Sequence, residues 1–267
     1  MARLSLDELA RATRGRLLPG TVPPAGGAAH VVAGYSIDSR TVAPGDLFFA
    51  IVGPRNDGHR FVADALAKGA VGAVVSGGGP GRFPGAPMLI RVEDTTRALQ
   101  EAGAHVRRRR PLKVVGITGS AGKTTAKELT AAVLKERYRV HKSEGNLNNT
   151  YGLPLVLLRM PDDCEAAVLE MGMSYHGEIA TLCGIADPDV GVILNVLPVH
   201  LEHFKGLDDI ARAKGELFRG LRTDAVAVFN TDDPRVRRMG RAVRGPKIPY
   251  GIAARGAVAA RAAQRAG

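Results

Sequence analysis

The sequence has no tryptophan, and aromatic residues make up only 4% of its 267 positions. Readers of single-stranded nucleic acid rely on aromatic stacking platforms, and duplex readers on a recognition helix. Neither is evident, so no nucleic-acid partner is expected, although the formal net charge is +11. That charge suits equally well a substrate carrying several phosphates. Cysteine is scarce: Cys164 and Cys183 cannot staple a chain of this size, and reduced thiols in the cytoplasm are expected. No run approaches the ~20 apolar residues that span a bilayer, and residues 1–8 lack the apolar stretch of a secretory signal. Membrane insertion is therefore not expected. Apolar residues reach 45%, enough to bury a sizeable core.

Two patterns divide the chain. Ser5-Leu-Asp-Glu8 reads as a capping box opening a helix to about Thr13. A Pro/Gly-rich loop over Gly20–Ala29 follows, then strands at His30–Asp38 and Asp46–Val52. Asp57-Gly58-His59 turns into a helix over Phe61–Lys68, and short strands follow at Ala73–Ser76 and Met88–Val92. A helix over Thr95–Val106 leads to the basic run Arg107–Arg110, read as a solvated helix end and linker.

From Lys113 the rhythm becomes strand–helix alternation. Strands are expected at Lys113–Thr118, Ala166–Glu170, Asp189–Asn195 and Ala225–Asn230, and helices at Lys123–Arg137, Gly177–Cys183, Leu207–Leu221 and Pro234–Met239. Near-continuous apolar strands alternating with helices predict a parallel sheet covered on both faces. The expected fold is α/β: a small mixed domain over residues 1–108, then a doubly wound, mostly parallel P-loop ATPase-type domain over 109–267. The tail from Gly251 to Gly267 is rich in Ala and Arg and gives no clear ending.

Between the first of these strands and its helix lies Gly116-Ile-Thr-Gly-Ser-Ala-Gly-Lys-Thr-Thr125. Glycines let such a loop curl so that backbone N–H groups face phosphate oxygens, and the following helix N-terminus favours anions. Gly119, Ser120, Ala121, Gly122, Lys123, Thr124 and Thr125 are the expected phosphate cradle for ATP. Lys123 would reach the β- and γ-phosphates, and the Thr124 hydroxyl would face Mg²⁺. One position departs from the general G-x-x-x-x-G-K-[ST] pattern, since Ile117 stands where glycine is usual.

Other polar residues fall at the ends of apolar strands, where ligands of parallel sheets gather. Glu170 closes Val168-Leu-Glu and needs a partner, either a metal ion or a structural cation. Asn195, His200 and His203 follow the next strand, Asn230 ends another, and Ser143–Pro154 is a turn-rich segment dense in amides. His200 and His203 are three apart and do not make a zinc-protease pattern. Lys214 lies on a helix, where a lysine is ordinarily solvated.

Taken together, G-I-T-G-S-A-G-K-T-T, G-N-L-N-N, L-E-M-G-M, G-E-I-A, Asn195 with His200, A-K-G-E-L-F and F-N-T-D-D-P occur in an order and spacing that resembles the Mur ligases. Asp38-Ser-Arg40, Pro44–Ala50 and Asp57-Gly-His59 resemble the uridine-diphosphate-substrate domain of the same family. The resemblance spans about residues 4–255. The E-M-G and G-N-x-N-N wording favours the branch that adds D-alanyl-D-alanine over the one that adds the third amino acid.

The resemblance implies an ATP-dependent amide ligase of peptidoglycan precursor synthesis. Its peptide substrate, a UDP-N-acetylmuramoyl-tripeptide, would be activated as an acyl phosphate and attacked by the amine of D-alanyl-D-alanine. Lys123, His200 and Lys214 would be catalytic, with Lys214 matching a lysine that such ligases carbamylate. Thr124, Glu170, His200 and Lys214 would surround Mg²⁺, and Asn195 and Asn230 would serve the nucleotide, Asn230 near the adenine. Asn148, Asn149 and Thr150 would line the reacting end of the peptide, and Ser39 and Arg40 its uridine-diphosphate end. A monomer is expected. Mur ligases have a third, C-terminal domain, so the sequence is expected to stop within the central one, leaving a nucleotide-binding module as the alternative.

Overall fold

The computed structural model describes residues 3–21, 32–53 and 56–252, with the backbone alone for 258–259. Most of the predicted loop over Gly20–Ala29, the start of the strand predicted from His30, and most of the tail lie outside the described residues. The chain divides into two compact units, Met1–Arg110 with Pro154–Asp162, and Pro111–Leu153 with Asp163–Gly267.

The first unit holds a five-stranded sheet among its described residues, ordered β1-β5-β4-β3-β2. Strands β2 (Gly34–Ser36), β3 (Asp46–Phe49), β4 (Gly72–Ser76) and β5 (Met88–Val92) run parallel, and β1 (Arg16–Pro19) pairs antiparallel with β5. Phe48, Val62, Ala65, Ala73, Val75 and Leu89 form its core, with α2 (Val62–Ala67) supplying two of them. His59 is a structural pin. Its Nδ1 lies 2.6 Å from Asp57 Oδ1, and its Nε2 accepts from Ser76 N at 2.9 Å, tying the Asp57–Phe61 turn to β4.

Two expectations for this unit change. Ser5 caps α1 (Leu6–Ala12) through Glu8 N at 3.1 Å, but the Glu8 carboxylate does not return to Ser5 as a capping box requires. It is taken instead by His105 and Arg109, both at 2.8 Å, at the end of α3 (Thr95–Arg108). The basic run is accordingly no solvated linker: Arg107 is buried, Arg109 holds Glu8, and Arg110 donates to Pro161 O and pairs with Asp162. Residues 154–162, expected with the second domain, belong to the first unit, where Arg159 donates to Tyr35 O at 3.1 Å.

The second unit carries a seven-stranded parallel sheet among the described residues, ordered β12-β11-β10-β9-β6-β8-β7. The strands are β6 (Lys113–Thr118), β7 (Val140–Lys142), β8 (Ala166–Glu170), β9 (Val190–Ile193), β10 (Val226–Asn230), β11 (Lys247–Gly251) and β12 (Val258–Ala259). Helix α4 (Lys123–Lys135) packs on one face, where Ala131 meets Ile117 and Val168. Gly191 of β9 faces Leu217 and Leu221 on the other, beside α8 (Glu216–Gly220). Helices α6 (Glu178–Ala186) and α9 (Pro234–Ala242) complete the cover, and α5 (Gly152–Leu158) begins here and runs into the first unit.

The helix expected over Leu207–Leu221 is two, α7 (Leu207–Lys214) and α8, meeting at Gly215, although Gly215 N still donates to Ala211 O. Strands β1, β7, β11 and β12 and helix α5 were not foreseen. Cys164 and Cys183 are free thiols, and burial pushes Cys183 up to about 11. Among the described residues no helix is long and apolar enough to cross a membrane.

Candidate functional site

The chain leaves β6 toward β7 and β8 on one side and later places β9 on the other, so the C-terminal end of β6 is a topological switch point. Crevices at such points are where parallel sheets bind ligands. Residues 119–122 fill this one. Gly122 has φ +79° as it opens α4, a conformation that glycine adopts without strain. A side chain at Gly119 would come within 3.0 Å of Leu194 Cβ. The first-turn N–H groups of α4 have no intrahelical partner and stay available to an anion.

Asn195 and Ser120 fix the loop from the β9 side. Asn195 Oδ1 accepts from Ser120 N and Ala121 N, both at 3.0 Å, and its Nδ2 donates to Ala121 O at 3.1 Å. Ser120 Oγ donates to Leu197 O at 3.1 Å and accepts from Leu197 N at 2.9 Å. Lys123 Nζ folds back to Gly119 O at 2.9 Å, over the loop.

Glu170 stands at the end of β8, 4% exposed. Thr124 Oγ1 donates to its Oε2 at 3.0 Å and Asn148 Nδ2 to its Oε1 at 2.9 Å. Both partners are neutral, and among the described residues no cation pairs with this carboxylate. The structural ion pair left open by the sequence is thus absent there. A buried anion held only by neutral donors, one of them the loop threonine, fits a divalent cation.

Lys214 ends α7 and is 3% exposed, contrary to the solvated lysine ordinarily found on a helix. Burial, helped by the charge of Lys123, lowers its pKa to about 7. No carboxylate pairs with it among the described residues. A single cleft of about 350 Å³ brings Lys214 together with Gly119, Ser120, Lys123, Asn148, Asn149, Thr150 and His200. His200 is partly exposed and sits at φ +54°, a left-handed conformation costly for a non-glycine residue. Asn149 Oδ1 is occupied by Tyr151 N and Gly152 N, so that side chain shapes the segment.

Some expected residues stand apart from this cleft. Asn230 does not line it; the side chain donates to Leu194 O at 3.0 Å and accepts from Asp232 N at 2.9 Å. Ser39 and Arg40 belong to the first unit. Ser39 is buried, and Arg40 clasps Asp38 through Nε and Nη2, which lowers the Asp38 carboxyl to about 2. No group of three His, Cys, Asp or Glu side chains among the described residues is placed to hold a metal, so the expected metal set depends on Thr124 and Lys214 beside Glu170 and His200. Sequence reasoning missed Lys127, Ser143, Tyr151, Tyr175 and Glu178. The last three line the cleft; Glu178 lies in the G-E-I-A stretch and Tyr151 in the Ser143–Pro154 segment, but neither was given a role, and no motif held Tyr175.

The model of the Mur ligase middle domain matches residues 117–266, more than half of the chain, and that of the Mur ligase family, catalytic domain, matches residues 31–147. The chain belongs to the Mur ligase family. The UDP-N-acetylmuramoyl-tripeptide–D-alanyl-D-alanine ligase of Bacillus subtilis is 42% identical over 204 residues, covering 76% of this chain and 44% of that protein. A crystal structure of MurF from Acinetobacter baumannii is similar at TM-score 0.84 and 32% identity, covering 95% of this Mur ligase chain and 54% of that one. MurF from Thermotoga maritima, in complex with ADP, matches at TM-score 0.75 and 35% identity over 84% of this chain and 51% of that one. The chain spans about half the length of the curated relatives it matches.

Proposed function

We propose that this chain carries the ATP site of a cytoplasmic ligase that joins D-alanyl-D-alanine to a UDP-N-acetylmuramoyl-tripeptide in peptidoglycan synthesis. The observation that carries this reading is the single cleft shared by the phosphate loop, Asn148–Thr150, His200 and the buried Lys214. The relatives' names support the substrates, and the ADP-bound neighbour supports the nucleotide.

In this reading Gly119–Thr125 cradle the phosphates, and Asn195 keeps the loop amides in place while Asn230 borders the adenine end. Lys123 turns from Gly119 O onto the β- and γ-phosphates, where its charge offsets that developing during transfer. Thr124, Glu170, His200 and a carbamylated Lys214 would hold Mg²⁺. When bound, Mg²⁺ neutralises phosphate charge and orients the transferring group. Reaction with CO₂ changes Lys214 from a cation into an oxygen anion, and two protons leave to solvent, one as the ammonium becomes the neutral amine and one as the C–N bond forms.

Asn148, Asn149 and Thr150 orient the peptide carboxylate. It displaces ADP from the γ-phosphate to give an acyl phosphate. The amine of D-alanyl-D-alanine then attacks the acyl carbon, the amide forms, and phosphate and a proton are released. The first unit, through Ser39 and Arg40, is assigned the uridine-diphosphate end.

Depletion of the gene product in its own bacterium tests the reaction. UDP-N-acetylmuramoyl-tripeptide should accumulate and the pentapeptide should fall, and a Lys123→Ala copy should fail to restore the pools. Unchanged pools on depletion would contradict the reading.

A further inference from the structure

Lys127 is 2% exposed, and nothing in the proposed chemistry uses it. It follows Thr124 by three residues on α4 and so lies on the same side of the helix. Its Nζ donates to Ser143 O at 2.7 Å and lies 3.2 Å from Glu128 Oε1. Burying a lysine amine costs free energy that an apolar side chain of similar volume would not, so filling space does not account for it.

Ser143 is the hub on the other side. Its N–H donates to Val168 O and its Oγ accepts from Glu170 N, both at 3.1 Å, which stitches it to β8. Five residues on, Asn148 donates to the Glu170 carboxylate, and its own carbonyl accepts from Gly172 N at 2.7 Å. Glu170 is therefore gripped by Thr124 from α4 and by Asn148 from the segment after β7. Lys127 bonds α4 to that segment and closes the ring.

We propose that Lys127 is a positioning residue: it locks the Ser143–Asn148 segment against α4, so that Thr124 and Asn148 present Glu170 to the cation of Mg·ATP. The proposal rests on the assignment of Thr124 and Glu170 to the metal.

Calorimetric titration of the chain with ATP, once with Mg²⁺ and once with EDTA, tests it. The wild type should bind more tightly with Mg²⁺. Lys127→Met should keep its affinity for metal-free ATP and lose roughly 10- to 100-fold with Mg²⁺, as variants behind metal ligands do. Lys127→Gln, whose shorter neutral side chain cannot keep the bond to Ser143 O, should move the same way and carries the test if Lys127→Met does not fold. Glu128→Gln, at an exposed partner of Lys127, should match the wild type. A Lys127→Met protein that keeps the Mg²⁺ enhancement, or loses both affinities in equal proportion, overturns the proposal alone. A wild type without any Mg²⁺ enhancement overturns the metal assignment and the proposal with it.

Discussion

Asn195 holds Ala121 from both sides of its backbone: its Oδ1 accepts from Ala121 N at 3.0 Å while its Nδ2 donates to Ala121 O at 3.1 Å. A side chain from beyond β9 thereby does for the phosphate loop what a neighbouring strand does for a β-ladder. Asn195→Ala should leave these groups to water and let the loop sample shapes that do not fit phosphate. The side chain makes three hydrogen bonds to the loop, the third from Ser120 N, and a net hydrogen bond contributes about 1 kcal/mol, so losing them should weaken ATP binding roughly 10-fold or more, measured by fluorescent-nucleotide displacement. Unaltered affinity would mean that the clamp has no bearing on the nucleotide.

Ile117 stands where the general phosphate-loop pattern has glycine, and it is buried against Ala131 and Val168. The residue therefore belongs to the core and not to the cradle. Ile117→Gly, which restores the general pattern, should cost about 3–5 kcal/mol through lost burial, the cavity and added backbone freedom. Urea unfolding would read that loss, and ATP affinity per folded molecule should not improve.

Lys214 has a pKa near 7, below its ordinary 10.5, because burial and the charge of Lys123 penalise the cation. The neutral amine is the form that reacts with CO₂. In ¹³C-bicarbonate a carbamate resonance should grow as pH rises through about 7 and be absent in Lys214→Met. Lys123→Ala removes one of the two penalties and should move that midpoint upward. The linkage has a definite sign: between 7 and 10.5 the unfolded chain binds the extra proton, so stability should rise with pH there. That slope should diminish in Lys214→Met.

Asp38 moves the opposite way. Arg40 holds its carboxyl at about 2, below the ordinary 3.8, so its contribution is present above about 3.8 and is lost as pH falls toward 2. Arg40→Gln should be slightly less stable than the wild type at pH 5 and should lose less stability as pH falls from about 3.8 to 2. The effect will be small, since both side chains meet solvent. Denaturation followed from pH 5 to 2 in both proteins checks it.

Much of the second unit was legible because apolar runs mark parallel strands and polar residues at their ends mark the ligand side. Lys113–Thr118 and Ala166–Glu170 have the predicted bounds and Glu170 ends its strand as read, whereas the strand expected to run to Asn195 stops at Ile193, two residues before it. Elements with few apolar residues or with a proline escaped: β7 is Val-His-Lys, β11 contains Pro249, and α5, though rich in Leu, carries Pro154 in its first turn, where proline is tolerated. Burial of charge was not legible either. Arg107, Lys127 and Lys214 resemble any solvated cation in sequence, and what buries them comes from tertiary packing. The Glu170 partners lie 46 and 22 residues away along the chain, beyond the reach of local pattern.

The central claim, that Gly119–Thr125 bind the phosphates of ATP, is tested most directly by calorimetric titration of Mg·ATP into the wild-type chain and its Lys123→Ala variant. Hydrogen bonds to charged groups contribute ~1.5–3 kcal/mol, so the variant should bind roughly 10- to 100-fold more weakly while unfolding at a similar temperature. Equal affinity in the two proteins, or no binding by a folded wild type, would contradict the account.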